Sequence, residues 1–254
     1  MSLVQPLLVA MVVGGALLGA LLAREVRRDG YGSRPGPRSH PADLFEPGAP
    51  RPVIVLPAPR TVLRGGRLLV GLALYGAGIA LMLRAQIGVG PWDVLAQGIA
   101  RATGAPFGLV TNAIGALLLI AWWPLRQRPG IGTLANVLLV GSSAQVVLGL
   151  SRPAAGLGLQ ALSFAAGMVL VAIATGVYVG AGLGAGPRDG LMLGLHRRLG
   201  LPIWLARSLV EGTALAAGWL LGGDVGIGTV VFAVGIGPLC GVTIRVLAPA
   251  ALHR

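Results

Sequence analysis

Apolar residues fill this chain in long unbroken blocks, and the polar positions collect in the gaps between them. A helix of roughly 20 apolar residues crosses the ~30 Å hydrocarbon core of a bilayer. Seven blocks approach that length, near 3–23, 68–86, 105–124, 131–150, 157–182, 202–221 and 226–247. Lipid offers no partner for backbone N–H and C=O groups, so blocks of this kind fold as helices. The pattern predicts an all-α polytopic membrane protein with about seven transmembrane helices.

Composition agrees and narrows the class. The 254 residues are 55% hydrophobic and 11% charged, with a mean hydropathy of +0.81; a soluble domain carries about 25% charged residues. An ordinary soluble enzyme is excluded. All 20 basic residues are Arg, against 8 acidic ones, for a net charge of +12. They crowd the segments between apolar blocks, where they orient spans and meet anionic head groups, so membrane lipid and not nucleic acid is the expected partner. Cys240 is the single cysteine, which rules out an internal disulfide and a cysteine-ligated metal.

The first block has no basic residue before it and is followed at once by Arg24, Arg27 and Arg28. A secretory signal has the reverse layout, so residues 1–23 read as a retained anchor, with the amino terminus outside. Eight prolines lie between Pro35 and Pro59, and 24–66 reads as a flexible Pro/Arg-rich linker. Residues 67–155 and 156–250 then form two transmembrane repeats, and 251–254 a short tail.

The repeat is visible as a shift of 96 positions. Residues 88–141 align with 184–237 without a gap, with 19 identities in 54 positions, where this composition gives on the order of one in ten by chance. Gly88, Gly90, Pro91 and Asp93 fall on Gly184, Gly186, Pro187 and Asp189; Gly130 to Thr133 fall on Gly226 to Thr229. Each copy holds three full blocks plus one short segment, 92–103 or 188–200, too short to cross as a helix. An odd number of crossings sets the copies in opposite orientations, giving two inverted three-helix repeats, each with a short non-spanning or re-entrant helix. With the linker cytoplasmic, 16 of the 20 Arg fall inside, Arg188, Arg197 and Arg198 among them, and the carboxyl terminus is cytoplasmic.

Chemistry concentrates in the repeated Gly-x-Gly-Pro-x-Asp string. Glycines allow an open turn, proline suits a helix start, and an aspartate in the first turn meets the positive end of the helix dipole. Asp93 and Asp189 are therefore either plain helix caps or, at broken helices near the bilayer midplane, ligands for a cation, a proton or a polar substrate. Arg207 and Glu211 stand four residues apart on one face of a span. Their counterparts are Thr111 and Gly115, so the pair belongs to one copy, either as a tie between helices or as a substrate contact. Asn112, Asn136 and Gln145 are expected to bridge helices, and His196 to be solvated. Gly15 with Gly19, Gly176 with Gly180, and Gly237 with Gly241 are expected to mark close helix packing. Trp92, Trp122, Trp123 and Trp219 are expected in an interfacial belt. No nucleophile elbow, Walker loop or His/Glu metal pattern occurs, so neither an enzyme, a metal nor a cofactor is expected.

The strings GVGPWDVLAQGI at 88–99, GAGPRDGLMLGL at 184–195, RSLVEG at 207–212, GIGT at 226–229 and IGP at 236–238 resemble the YczE-type bacterial membrane proteins, relatives of the YitT group. The resemblance covers about 67–247 and implies a multi-pass protein of the bacterial plasma membrane. The anchor and linker depart from that family's compact form. The function expected is a transporter or permease for a small solute or amphiphile, proton- or cation-coupled, with Asp93, Asp189, Arg207 and Glu211 and the turn residues Gly88, Gly90, Pro91, Gly184, Gly186 and Pro187 around its substrate. The rival is a non-transporting scaffold that stabilises a partner or organises lipid.

Overall fold

A computed structural model describes residues 59–248, apart from 124, 126, 128 and 185. The expected anchor, the linker as far as residue 58 and the tail lie outside the described residues, as do Gly15, Gly19, Arg126 and Arg128. Eight helices are described: α1 Pro59–Ala85, α2 Pro91–Thr103, α3 Phe107–Trp122, α4 Ile131–Leu150, α5 Leu157–Val179, α6 Pro187–Leu199, α7 Ile203–Leu220 and α8 Ile227–Leu247. The described residues contain no strand. Helix α1 starts inside the stretch read as linker.

The two short helices are cut by the same chemistry. Gly90 and Gly186 precede α2 and α6 in extended conformation, and Pro91 and Pro187 open them. Gly104 at φ 72° and Gly200 at φ 67° end them in the left-handed region, which glycine enters without steric cost.

Four described helices are long and apolar enough to cross a membrane: Leu63–Ala85 within α1, α4, α5 and α8. Helices α2 and α3, bent by 118° at their junction, make a fifth if the pair counts as one span. The larger number expected from the apolar blocks is not reached among the described residues, for two reasons. Block 105–124 supplies only 16 residues of helix in α3, about 24 Å. Block 202–221 supplies 18 residues in α7, and these include Arg207 and Glu211, whose charge lowers their hydropathy.

Helices α1 and α5 form the centre and run antiparallel. Gly71 lies on Tyr178, Gly78 on Gly167 and Val171, and Ser163 donates to the Leu81 carbonyl at 2.8 Å. Arg67 answers from the other end, donating Nε to Val177 O at 3.1 Å and Nη2 to Leu247 O. Glycine allows these backbones to approach where a side chain would hold them apart. Leu72, Ile79, Met82 and Val171 are fully buried there. Helix α4 lies parallel to α1, with Gly76 on Val140 and Ala144 and Arg84 donating to Ser151 at 3.2 Å. Helix α8 lies along α5 in the same way, with Gly176 on Thr243 and Thr243 donating to Ala172 O at 2.6 Å.

The glycine turns cross between the copies. Gly228 N–H donates to Ile87 O at 2.7 Å, and its counterpart Gly132 N–H donates to Leu183 O at 2.9 Å. Each receiving helix is opened by a buried threonine: Thr133 accepts from Gly130 N–H and Thr229 from Gly226 N–H, both at 3.3 Å. The turn before each short helix is thus docked on the start of a helix in the other copy.

One correspondence fails, and the failure makes the site. Helix α3 packs antiparallel on α4: Gly108 lies on Gly141, Gly115 on Val137, Gln145 accepts from Gly108 N–H at 2.9 Å, and Asn112 donates to Leu138 O and Ser142 Oγ at 3.1 and 3.0 Å. In the second copy Gly108, Gly115, Asn112, Gln145 and Ser142 become Trp204, Glu211, Ser208, Gly241 and Pro238. The bridging groups are gone and bulk replaces the glycines. Helices α7 and α8 do not pack against one another as α3 and α4 do, and a Cβ at Gly237 or Gly241 would meet nothing within 4 Å. Those two glycines do not mark close packing, because no partner helix lies against them.

Candidate functional site

The gap between α7 and α8 opens on a cavity of about 460 Å³. Asp93 comes to it from the first turn of α2 and Asp189, with Arg188, from the first turn of α6. Arg207 and Glu211 enter from α7, Tyr75 and Tyr178 from the central pair, and Phe232, Ile236, Cys240 and Ile244 form an apolar wall on α8. A second cavity of about 70 Å³ lies between α3 and α4 on one side and the Gly186–Asp189 turn on the other. Thr111 and Gly115 border it, the counterparts of Arg207 and Glu211. Tyr75, Tyr178, Arg188 and Asp189 border both.

Asp93 is the most exacting group present. It is 2% exposed, and its Oδ1 accepts no hydrogen bond. The Arg188 guanidinium stands 3.8 Å from that oxygen and 5.3 Å from the Trp92 ring centroid. A buried carboxylate oxygen without a donor is costly. Asp93 lies in the first turn of α2, where the helix dipole also favours a negative charge. Asp189 differs: its Oδ2 lies beside Gly186 at the start of α6, and it is exposed, bordering both cavities. Arg207 donates to Glu211 at 3.0 Å, and the two side chains are 53% and 28% exposed. Tyr75 and Tyr178 meet edge to face, 6.1 Å between centroids.

Of the residues singled out in the sequence, Asp93, Asp189, Arg207, Glu211, Gly90 and Pro91 border the large cavity, and Gly186 and Pro187 the small one. Gly88 and Gly184 border neither. At φ 103° and 130° they shape the docked turns. Asn112 and Gln145 bridge helices, whereas Asn136 borders the small cavity. His196 is half-buried, its Nδ1 2.6 Å from Leu201 O, and not simply solvated.

Two placements go beyond the sequence reading. Trp92 is buried beneath Arg188 and Trp122 is buried over Gly190, donating Nε1 to Pro187 O at 3.0 Å; both pack inside the protein, whereas Trp123 is 86% exposed. Arg188 borders both cavities, next to Asp189. Its place beside Asp189 in the repeated string was the signal available for it. Tyr75 and Tyr178 were missed, though each interrupts an apolar block.

A clasp closes the far end of α2. Arg101 Nη1 and Nη2 donate to the two carboxylate oxygens of Asp224 at 2.7 and 2.6 Å, and Gln97 Nε2 adds a third bond at 2.8 Å. The hydrogen bond from Arg101 holds the Asp224 carboxyl below its ordinary range, with Arg101's charge and Gln97 reinforcing it against partial burial. The loop between α7 and α8 is thereby tied to α2.

Apolar helices of spanning length around a polar cavity define a multi-pass helical membrane protein. The chain belongs to a family of unknown function, DUF6198, which it matches over residues 62–245. It is 32% identical over 195 residues to the uncharacterized membrane protein YczE of Bacillus subtilis, covering 76% of this chain and 88% of that one. It is 36% identical over 181 residues to an uncharacterized protein of Haemophilus influenzae, covering 71% and 83%. The uncharacterized protein YyaS of Bacillus subtilis is 26% identical over 164 residues, covering 63% and 82%. No solved structure matches the chain. The YczE-type resemblance of the glycine-proline-aspartate strings is therefore a family relationship.

Proposed function

We propose that the protein is a transporter or permease for a small solute or amphiphile in the bacterial plasma membrane, and not an enzyme. The two copies cross the bilayer in opposite senses, and substrate binds where both aspartate-bearing turns meet. The observation that carries this reading is Asp93: a buried carboxylate oxygen without a donor, at the wall of a cavity large enough for a ligand. A scaffold has no need to maintain such a group, since intramembrane charge is expensive. The antiparallel run of α1 and its counterpart α5 supports the inverted arrangement. So does the pairing of a 460 Å³ cavity with a 70 Å³ one across shared residues: alternate opening of two such cavities around a fixed site is how an inverted repeat moves cargo. Proton or cation coupling is assigned to Asp93 and Asp189.

The test is untargeted uptake. Proteoliposomes holding the full chain are incubated with a bacterial solute and lipid extract, and their contents compared by mass spectrometry with those of Asp93→Asn and Asp189→Asn vesicles. Transport predicts at least one compound accumulated by the unaltered protein and lost in both variants. Identical contents in all three would remove the transport reading.

A further inference from the structure

The cavity's chemistry says more about its occupant, on the reading that it is a transport site. Asp93, Asp189 and Glu211 face it with Arg188 and Arg207; three carboxylates against two guanidiniums leave one negative charge. Both guanidiniums are engaged, Arg207 by Glu211 at 3.0 Å and Arg188 by Asp93 and the Trp92 face. The acceptors are not spent: Asp93 Oδ1 takes no hydrogen bond and Asp189 is exposed to the cavity. Among the described residues, no three acidic, His or Cys side chains could hold a metal ion together, so these carboxylates are spread around the wall. The opposite wall, Phe232, Ile236 and Ile244, is apolar. Gly237 and Gly241 line the cavity at the seam between α7 and α8, where an added Cβ would meet nothing within 4 Å, and the exposed side chains Leu209, Val234 and Val242 on the two helices are apolar.

We propose that the occupant is an amphiphile with a primary ammonium head group. It enters sideways between α7 and α8, leaves its chain against the apolar wall of α8, and brings its N–H groups to Asp93 and Asp189. An ammonium supplies three donors and one positive charge, which matches the unspent acceptors and the surplus charge together. A fully polar cation would not use the seam. An anionic amphiphile would meet a surplus of its own sign.

The probe is dodecylammonium, titrated calorimetrically into the full-length protein in phosphatidylcholine nanodiscs, with butylammonium and dodecanoate as comparators. Dodecylammonium is expected to saturate one site at least tenfold more tightly than either. Asp93→Asn and, should that variant not fold, Asp189→Asn weaken it by at least tenfold. Gly237→Phe, at a position with open space for a side chain, keeps the melting temperature and slows association several-fold. Equal binding of butylammonium overturns entry from the bilayer. Tighter dodecanoate overturns the ammonium assignment, and binding indifferent to both aspartate variants overturns the placement. Aspartate-dependent uptake of some compound without dodecylammonium binding sinks this inference and leaves transport standing; binding with no such uptake does the reverse.

Discussion

Arg188 stands 3.8 Å from the Asp93 carboxylate, on a different helix and in a different copy of the repeat, with its guanidinium 5.3 Å over the ring of Trp92. The contact joins the first turns of α2 and α6. Removing the cation strands a buried anion, and breaking such a pair costs more than the pair itself contributes. Arg188→Met should destabilise the protein by about 2–3 kcal/mol, read from thermal unfolding in detergent. Asp93→Asn introduced beside it should recover part of that loss, a coupling of about 1 kcal/mol. Additive single and double variants would show that the two charges do not interact.

Helix seams provide a second prediction. A side chain at Gly108 or Gly141 must displace backbone or Asn112 in the α3–α4 contact, whereas one at Gly237 or Gly241 finds space. Gly108→Leu and Gly141→Leu should each cost about 1–3 kcal/mol, and Gly237→Leu and Gly241→Leu under about 0.5 kcal/mol. Equal losses at all four would mean that α7 and α8 close on one another.

The glycine turns can be ranked by the same measurement. Gly88 combines φ 103° with a Cβ position 2.6 Å from Gly226 N, while Gly104 at φ 72° has open space around it. Gly88→Ala should cost well over 2 kcal/mol by strain and overlap together. Gly104→Ala should cost about 1 kcal/mol, the strain alone.

The Arg101–Asp224 clasp gives an acid-side signature. Because the folded carboxyl is held below its ordinary range, the stability it brings is complete above the unfolded value. It is lost as pH falls through the folded one. The side chains are 49% and 42% exposed, so the effect is limited to under about 1 kcal/mol. Between pH 6 and pH 3 the unaltered protein should lose slightly more melting temperature than Asp224→Asn. Parallel losses would remove the clasp from the account.

The short helices were legible because punctuation defines them. Gly90 with Pro91 starts α2 and Gly104 ends it, and the same residues recur around α6. The site was half legible: the repeated string marks Asp93 and Asp189, and the mismatch of Arg207 and Glu211 with Thr111 and Gly115 marks where the copies diverge. Neighbours across helices were not. Gly237 and Gly241 have the spacing of a packing motif, but spacing carries no information on whether a helix arrives to use it. Trp92 and Trp122 sit near helix ends, but Arg188 and Gly190 of α6 cover them.

The crossed turns bear on ancestry. Ile87 O is capped by Gly228 and Leu183 O by Gly132, so a chain holding one copy alone carries a loop with nowhere to dock and a helix start with nothing to receive. Two such half-length chains side by side supply each other's missing piece. A single ancestral unit would meet both needs by pairing with a second copy of itself.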